Sequence, residues 1–568
     1  MNAPTSPRVA IISLTFSDDT KVSFSKDDVV LVVGPNNAGK SAALRAIRDK
    51  LQGDAFSPVL KALEIQRIGS PETLSSWLVG WTVRQSGSPV GDPVFQALGQ
   101  SVQQSIASHY WQREDHVLGA LSRWFCHFLS ADERLQICNP PGNIALLHAD
   151  PIHPIHFLQR DDELELRLSA KFRKAFGIDL IVHRNAGNQV PLHVGARPIP
   201  GPGKDRVSRE FVEELEKLPT LHYQGDGMRS FAGVLLSTSV GKESIMLIDE
   251  PEAFLHPPQA RLLGTTLVQD RHKDRQLFIA THSTDILRGV LDAESPVVKV
   301  LRVQRSGDKN IVRMLDNHRI KELWGDPLLR YSNILDGLFH ERVVVCEADS
   351  DCRFFAAVLD AVIASKSDDS KRPDLMFTHC GGKSRLPIVI RALREVDVPV
   401  NAVADFDVLS EEQPLRSIIE ALGIDWVSLQ KDWQIVKSAV DSKKPDLNTE
   451  EVKSEILKVF TDTDTPVLPP KAKMQIQAIL RRSSAWAHAK SVGKSFVPPG
   501  DPSRACERLL GNLRAGGLFV VEVGELEGYV RTENGHGPKW VNAVLTRDLA
   551  SDPEIETARR FVQDLAGI

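Results

Sequence analysis

The segment from Gly34 to Ser41 constrains this chain most, because it reads GPNNAGKS and matches the phosphate-binding pattern GxxxxGK[ST] in full. The continuous β-branched run at 29–33 precedes it, and a helix-forming segment follows from Lys40. In such a strand, loop and helix, backbone N–H groups wrap phosphates. The pattern therefore predicts an α/β fold with an ATP site, in which Lys40 reaches the β- and γ-phosphates and Ser41 ligates Mg²⁺.

Later strand-like runs carry residues that fit the same site. The run at 244–248 ends in Asp249 and Glu250, an arrangement that lets the first carboxylate hold Mg²⁺ and the second orient or deprotonate the attacking water. The run at 276–280 is followed by His282, a candidate γ-phosphate sensor. A predicted helix start near residue 225 can hold the phosphate of a nucleotide bound to another subunit. Glu250 and His282 are thus the catalytic candidates, and the nucleotide-binding candidates are Gly34, Asn36, Asn37, Gly39, Lys40, Ser41, Gly225, Gly227, Ser230 and Asp249.

Four acidic residues follow predicted strands in the second half of the chain. Glu347 ends the run at 343–346, and Asp351 comes four residues later at a helix start. Asp405 and Asp407 end a second strand, and we expect them at one edge because Phe406 points the other way. Carboxylates that converge at strand ends repel one another unless cations lie between them. The pattern therefore predicts a divalent-metal site for Mg²⁺ or Mn²⁺.

Composition narrows the class of protein. The 568 residues carry a net charge of −5, so a nucleic-acid site must be local or metal-mediated. No apolar run is long enough to span a membrane and no secretory signal is evident, which predicts a cytoplasmic protein. The six cysteines form no CxxC pair, and the spacing of the histidines near Cys138 fits no structural zinc site, so we interpret His148, His153 and His156 as loop residues.

This order of elements resembles the ABC-type ATPase head that SMC-like and OLD-family proteins share. The segment Asp249-Glu-Pro-Glu-Ala-Phe-Leu-His-Pro257 is especially similar to the Walker B region of the OLD group. The four acids resemble the TOPRIM pattern, although the family glycine after the first Glu is Ala348 here. The segment at 524–528 resembles the late acidic motif of OLD-family TOPRIM domains. The resemblance adds Glu525 or Glu527 as a metal ligand and Lys539 as a catalytic cation.

The resemblance implies an ABC-type P-loop ATPase head over residues 1–335, followed by a TOPRIM α/β domain over 336–568. We expect a helical insertion at about 60–200, suited to dimerisation or to a packed core, and another at 441–502. The implied protein is a homodimer or larger homo-oligomer with ATP and Mg²⁺ as cofactors. It is an ATP-regulated endonuclease that nicks or cuts DNA, acting in anti-phage defence with a helicase or other defence protein as a partner.

Two other classes stay open on the sequence. One is an ATPase sensor whose TOPRIM part is a ribonuclease that cleaves tRNA, and the other is a non-catalytic ATPase of DNA repair. The four TOPRIM acids argue against the second class. DNA or RNA as substrate, the strand or sequence preferred and the direction of ATP control stay open.

Overall fold

The computed structural model describes residues 6–568 except 55, 86–87, 90, 98–99, 146–148, 150, 308, 316–324, 326–332, 366–371, 444–448, 464 and 482–484. The chain forms two compact units, Met1–Trp324 and Gly325–Ile568. From the sequence we expected the boundary after residue 335. Among the helices of the described ranges, none is long and apolar enough to cross a membrane.

The first unit combines sheets and helices. Its strands are β1 (Arg8–Phe16), β2 (Lys21–Ser23), β3 (Val29–Val33), β4 (Leu60–Ile68), β5 (Val83–Arg84), β6 (Val94–Ala97), β7 (Gln100–Gln103), β8 (Cys126–Leu129), β9 (Asp179–Val182), β10 (Leu192–Gly195), β11 (Ile245–Asp249), β12 (Gln276–Ala280), β13 (Val298–Ser306) and β14 (Lys309–Leu315). Its helices are α1 (Lys40–Gln52), α2 (Pro71–Trp81), α3 (Gln104–Gln112), α4 (Ser122–Phe125), α5 (Ala131–Gln136), α6 (Pro154–Arg160), α7 (Asp162–Phe176), α8 (Arg209–Glu216), α9 (Asp226–Val240), α10 (Pro257–Gln269) and α11 (Thr284–Asp292).

A six-stranded sheet in the order β14-β13-β3-β12-β11-β8 forms the centre of this unit. Its strands are parallel except β14, and every residue of β3 is buried, which explains the unbroken run of Val and Leu there. Val32, Ala280 and Asp249 lie level on neighbouring strands. The ends of β3, β12 and β11 therefore meet at one edge, and the three strands predicted at these positions are confirmed.

The segment 60–200 is less helical than we expected. Its first strand, Leu60–Ile68, pairs antiparallel with β1, and Cys126–Leu129 pairs with β11 in the central sheet. The prediction of a helical insertion is wrong for these segments. Leu60–Ile68 has a helix-forming composition rich in Lys, Ala, Leu and Glu, and pairing with β1 overrides it, while a four-residue strand has too short a periodic signal to recognise.

The second unit contains the strands β15 (Arg342–Cys346), β16 (Leu375–His379), β17 (Val400–Ala404) and β18 (Leu518–Val520). Its helices are α12 (Asp349–Ser365), α13 (Leu386–Glu395), α14 (Glu412–Leu422), α15 (Trp426–Asp441), α16 (Thr449–Thr461), α17 (Pro470–Arg481), α18 (Ala485–Val492), α19 (Asp501–Ala515), α20 (Pro538–Val544) and α21 (Glu556–Ala566). The described part of the segment 441–502 is mainly helical, as predicted.

The sheet of the second unit is parallel throughout and has the order β16-β15-β17-β18. From β15 the chain moves first to one side, to β16, and then to the other, to β17. The strand order thus reverses between β15 and β17, and ligands of open α/β sheets bind at the carboxyl ends of strands at such a point. An aromatic cluster that includes Phe354, Phe355 and Trp540 packs in the core beside this sheet.

Candidate functional site

The phosphate-binding loop lies tightly against the strands β13 and β14. Gly34 has φ 146°, and a Cβ there would lie 2.0 Å from the carbonyl oxygen of Val303. Gly39 has φ 95°, and its Cβ would lie 2.6 Å from Nδ2 of Asn310. Glycine is needed at both positions for the backbone conformation and for the close approach. The tip of the loop is accessible, since the predicted binding residues Asn36 and Asn37 are exposed.

The ammonium of Lys40 lies inside this loop. Its Nζ donates hydrogen bonds of 2.8 Å to the carbonyl oxygens of Gly34 and Pro35. Burial lowers the pKa of Lys40, while the charges of Glu250, Glu252 and Asp249 oppose that shift. The sheet therefore brings Lys40 and the carboxylates that follow β11 into one site.

Asp249 and Ser41 supply oxygen atoms suited to Mg²⁺. Ser41 forms a side-chain hydrogen bond to Asp249, but burial outweighs it and raises the pKa of the carboxyl. Oδ1 of Asp249 is buried without a hydrogen-bond partner among the described residues. A cation would satisfy that oxygen, and Mg²⁺ prefers oxygen ligands, so this pair fits the predicted metal.

His282 and two glutamates meet at the ends of β11 and β12. Nδ1 of His282 lies 3.6 Å from Oε1 of Glu250 and 3.3 Å from Oε1 of Glu252. Glu252 is buried and accepts hydrogen bonds from Thr281 Oγ1 and the His282 N–H, whereas Glu250 is half-exposed. Burial raises the pKa of Glu252. Glu252 thus orients the loop that carries His282, a role that we missed although it is the second glutamate of the Asp-Glu-Pro-Glu segment.

Arg134, on α5, forms hydrogen bonds to the backbone at the end of β11. Its side chain is fully buried, and the guanidinium donates hydrogen bonds to the carbonyl oxygens of Asp249 (2.7 Å) and Glu250 (2.9 Å). A third, at 3.2 Å, reaches Oγ of Ser230. A lone arginine in an irregular segment gave no sequence signal for this contact.

The predicted contacts at the start of α9 are only partly accessible. Gly225 is exposed at the N-cap of α9, and Gly227 is half-buried. Ser230 is fully buried and bonded to Arg134, so its hydroxyl does not reach the surface where a second subunit would bind. The assignment of Ser230 to nucleotide binding does not fit this conformation, because a contiguous motif does not specify which residues of a helix face inward.

In the second unit, the strand order reverses between β15 and β17. Glu347 follows β15 and Asp405 follows β17, and the two residues lie together. The N–H of Asp405 donates a hydrogen bond of 3.3 Å to Oε1 of Glu347. Burial, followed by the charge of Asp405, raises the pKa of Glu347 to about 7. Asp351 accepts a hydrogen bond of 2.9 Å from the N–H of Ala348, yet burial raises its pKa to about 6. These carboxyl groups form one repelling cluster, as the sequence predicted.

Asp405 and Asp407 reach this cluster from a turn. The strand ends at Ala404, and Phe406, which is fully buried, begins a 3-10 turn, so the expected alternation along a strand is wrong here. Burial raises the pKa of Asp405. Oδ1 of Asp407 is buried and accepts no hydrogen bond from the described residues.

Two lysines contact these aspartates. Nζ of Lys383 lies 2.9 Å from Oδ2 of Asp407, and Nζ of Lys490 lies 2.8 Å from Oδ2 of Asp405 and 3.9 Å from Oδ1 of Asp407. Burial lowers the pKa of Lys490, but the hydrogen bond to Asp405 and the negative charges of Asp405, Asp407 and Glu347 together outweigh it and leave the pKa raised. Lys490 belongs to no motif, so no pattern in the sequence pointed to it.

The late acidic motif lies near the same cluster. Glu527 accepts a hydrogen bond of 2.7 Å from the N–H of Gly537, and Nδ1 of His536 lies 2.6 Å from its Oε1. Ligand atoms of Glu525, Glu527 and His536 lie within 4.8 Å of one another. Burial, with the charge of Glu527, raises the pKa of Glu525. Lys539 is exposed in the first turn of α20, and the ion pairs of the described residues do not include it.

The histidines considered for zinc have structural contacts. Nε2 of the buried His156 lies 2.8 Å from the carbonyl oxygen of Gly142. His153 caps α6 by accepting a hydrogen bond from the N–H of Ile155. His148 and Asp150 lie outside the described residues.

Together, the P-loop after β3, the carboxylates after β11 and the histidine after β12 define a mixed α/β P-loop ATPase domain of the AAA/ABC type. Two family models match this unit. One, described as "AAA domain, putative AbiEii toxin, Type IV TA system", matches residues 133–288, and an AAA domain model matches residues 15–55.

Two relatives share parts of the sequence. The Old nuclease of Escherichia phage P2 is 24% identical over 180 residues, which cover 31% of this chain and 29% of that protein. The match therefore spans less than a third of that relative. An uncharacterized protein of Methanocaldococcus jannaschii is 27% identical over 103 residues, which cover 17% of this chain and 90% of that protein.

Solved structures of SMC heads also align with the chain. An Smc head with an extended coiled coil, bound to the C-terminal domain of ScpA and derived from Pyrococcus furiosus, is 13% identical with a TM-score of 0.34. It covers 56% of this chain and 99% of that one. The SMC head domain from Thermotoga maritima is 13% identical with a TM-score of 0.28, covering 54% and 99%.

Proposed function

We propose that this protein is an ATP-regulated, divalent-metal-dependent endonuclease that nicks or cuts DNA. The carboxylate cluster at the switch point of the second sheet carries the proposal, because several half-buried acids with raised pKa values need a cation to ionise together. In this proposal the second unit is a TOPRIM-type nuclease. The resemblance of its acids to that pattern and the partial similarity to a protein named Old nuclease support it.

The donor set suits a hard divalent cation. The proposed ligands are carboxylates, which Mg²⁺ and Mn²⁺ prefer, and Oδ1 of Asp407, which accepts no hydrogen bond from the described residues, is an oxygen that such a cation would satisfy. When bound, divalent cations supply Lewis acidity for phosphodiester hydrolysis. The proposed ligands are Glu347, Asp351, Asp405, Asp407 and one or both of Glu525 and Glu527. Lys383 is close enough to Asp407 to limit negative charge beside a bound phosphodiester.

ATP has a regulatory role in this proposal. Lys40 and Ser41 bind the triphosphate and Mg²⁺, Glu250 activates the attacking water, and His282 contacts the γ-phosphate. Phosphodiester hydrolysis needs no energy from ATP, so ATP binding and turnover control access to the nuclease. The exposed Gly225 at the start of α9 suits contact with a nucleotide on a second copy, which supports a homodimer through the ATPase unit. A role in anti-phage defence with a helicase partner rests on the family resemblance alone.

A cleavage assay with matched variants tests the proposal. Supercoiled DNA, linear DNA and total tRNA are incubated with Mg²⁺ or Mn²⁺, with and without ATP. We expect DNA nicking or cutting that Asp405→Ala abolishes while ATPase activity continues. Lys40→Ala should abolish ATP binding and change cleavage only through its regulation. Glu411→Ala, which changes an exposed acid four residues after Asp407, is the control and should behave as wild type.

The outcomes separate the candidate functions. Cleavage that persists in purified Asp405→Ala protein would contradict the assignment of the nuclease site. Cleavage of tRNA without cleavage of DNA would replace the proposal with a ribonuclease effector. ATP turnover without cleavage of any substrate would favour a non-catalytic ATPase.

A further inference from the structure

One cation of the acidic cluster comes from outside the sheet. Lys490 lies on α18, within the insertion between β17 and β18, and its ammonium contacts Asp405 and Asp407. The side chain of Lys490 is 34% exposed and that of Asp405 is 19% exposed. The ion pair is therefore partly shielded from water, more than a fully exposed surface salt bridge.

The end of α18 is packed closely enough to position Lys490. A Cβ on Gly524 would lie 2.1 Å from the carbonyl oxygen of Lys490, and a Cβ on Gly493 would lie 2.0 Å from that of Glu522. Backbone therefore packs against backbone where the helix meets the segment that carries the late acids. The indole of Trp486 adds a hydrogen bond of 2.9 Å to Asp441. These contacts fix the position of Lys490 in the folded unit.

In the proposed metal site, the ammonium of Lys490 and a divalent cation would compete for the carboxylate of Asp405. Lys490 holds Oδ2 of Asp405 at hydrogen-bond distance, and a metal ligated by that oxygen would lie beside the ammonium at a separation where like charges repel strongly. We propose that Lys490 is the counter-cation of Asp405 in the metal-free protein and that an entering divalent metal displaces its ammonium. This inference rests on the proposed function only in that the cluster binds metal.

Displacement links the insertion to the metal site. An interaction that keeps α18 in its present position stabilises the ion pair and weakens metal binding. Because coupling is reciprocal, bound metal weakens that interaction by the same free energy. A partner that binds the insertion would thus change the metal affinity of the nuclease without touching its acids.

Lysine-directed acylation followed by mass spectrometry tests the displacement on the full chain, with Mn²⁺ as the probe. We expect the modification rate of Lys490 to rise several-fold when Mn²⁺ saturates the protein. Lys494, one turn later and paired with Glu507 and Glu522, is the internal control and should keep its rate. An unchanged rate at Lys490, in a sample where paramagnetic resonance detects bound Mn²⁺, would overturn the inference.

Two variants measure the competition by Mn²⁺ affinity. Lys490→Met should bind Mn²⁺ about tenfold more tightly, because the metal no longer has to displace a unit charge. Lys490→Arg, which keeps the charge, and Lys494→Met should bind Mn²⁺ like the wild type. An unchanged affinity in folded Lys490→Met would contradict the inference.

These readouts do not depend on cleavage. Displacement of Lys490 without any nuclease activity would sustain the inference and overturn the proposed nuclease. Complete absence of Mn²⁺ binding would overturn the proposed metal site and this inference with it.

Discussion

Arg134 shows how a residue outside the recognised motifs can hold a strand end of the proposed ATP site. Its guanidinium is fully buried and bonds the backbone of Asp249 and Glu250 together with Oγ of Ser230. The carbonyl oxygen of Glu250 also accepts a hydrogen bond from the N–H of Ala253, so the guanidinium adds a second donor there and bonds the carbonyl oxygen of Asp249 as well. At the scale of single residues, Arg134 therefore affects both the stability of the unit and the position of the proposed water-activating glutamate.

Replacing Arg134 should cost stability and ATP turnover together. We expect Arg134→Met to lower the free energy of unfolding by about 3 kcal/mol, because it removes the buried guanidinium that bonds the carbonyl oxygen of Asp249 and the hydroxyl of Ser230. The rate of ATP hydrolysis should fall at least in proportion to the loss of folded protein. Urea unfolding and steady-state ATPase assays measure the two effects. Arg167→Met, an exposed change on α7, is the control, and equal stability of the two variants would contradict the role of Arg134.

The candidate site residues that belong to motifs could be predicted from the sequence, and the residues that position them could not. Lys40, Asp249 and Glu347 follow recognisable strands, so spacing alone indicated that they would share an edge with other site residues. Arg134 and Lys490 reach their sites from distant helices through tertiary packing. No local pattern indicates such contacts, since the sequence does not show whether a basic side chain is buried in a site or exposed on the surface.

Among the elements, the P-loop depends on its contact with β13. Gly34→Ala would place a Cβ 2.0 Å from the carbonyl oxygen of Val303, at a φ of 146° that side chains rarely adopt. We expect this variant to lose about 2 kcal/mol of stability and most of its ATP binding, because the loop must move away from the strand.

Thermal unfolding and nucleotide titration would check the effect of Gly34→Ala. Gly80→Ala is the matched control, since its Cβ would meet no atom within 4 Å and it lies inside α2, where alanine favours the helix. Normal ATP binding by Gly34→Ala would mean that the close approach to β13 is not required.

The strands near the site were easier to predict than the ones at the edge. The β3, β11 and β12 runs are short, apolar and bounded by polar residues, which is typical of buried parallel strands. Leu60–Ile68 and Cys126–Leu129 lack that pattern, and their pairing with β1 and β11 decides their conformation. The turn after Ala404 was missed for the same reason, because its backbone follows from packing around Phe406.

For the second unit as a whole, pH should control metal-dependent stability. Burial raises the pKa of Glu347 to about 7 and that of Asp351 to about 6, above their ordinary values, so the folded metal-free protein binds these protons more tightly than the unfolded chain. Their contribution to stability is therefore lost as the pH rises from about 4 through about 7. Bound Mg²⁺ or Mn²⁺ should replace the protons.

Thermal unfolding in EDTA and in MnCl₂ tests this expectation. The gain in melting temperature from Mn²⁺ should be small at about pH 5 and larger at about pH 8. Asp405→Asn should reduce the gain at the higher pH. A gain of the same size at both pH values would show that metal does not compete with these protons.

The pairing of β3 has a consequence for how the protein is made on the ribosome. The N-terminal strand β1 donates a hydrogen bond from Ile11 to Gln276, 265 positions later, and β3 pairs with strands that begin at Gln276 and Val298. At ordinary rates of translation, these first strands wait on the order of tens of seconds for their partners. Apolar strand edges stay open during that time, so the nascent chain, rather than the finished enzyme, is the form most in need of a chaperone.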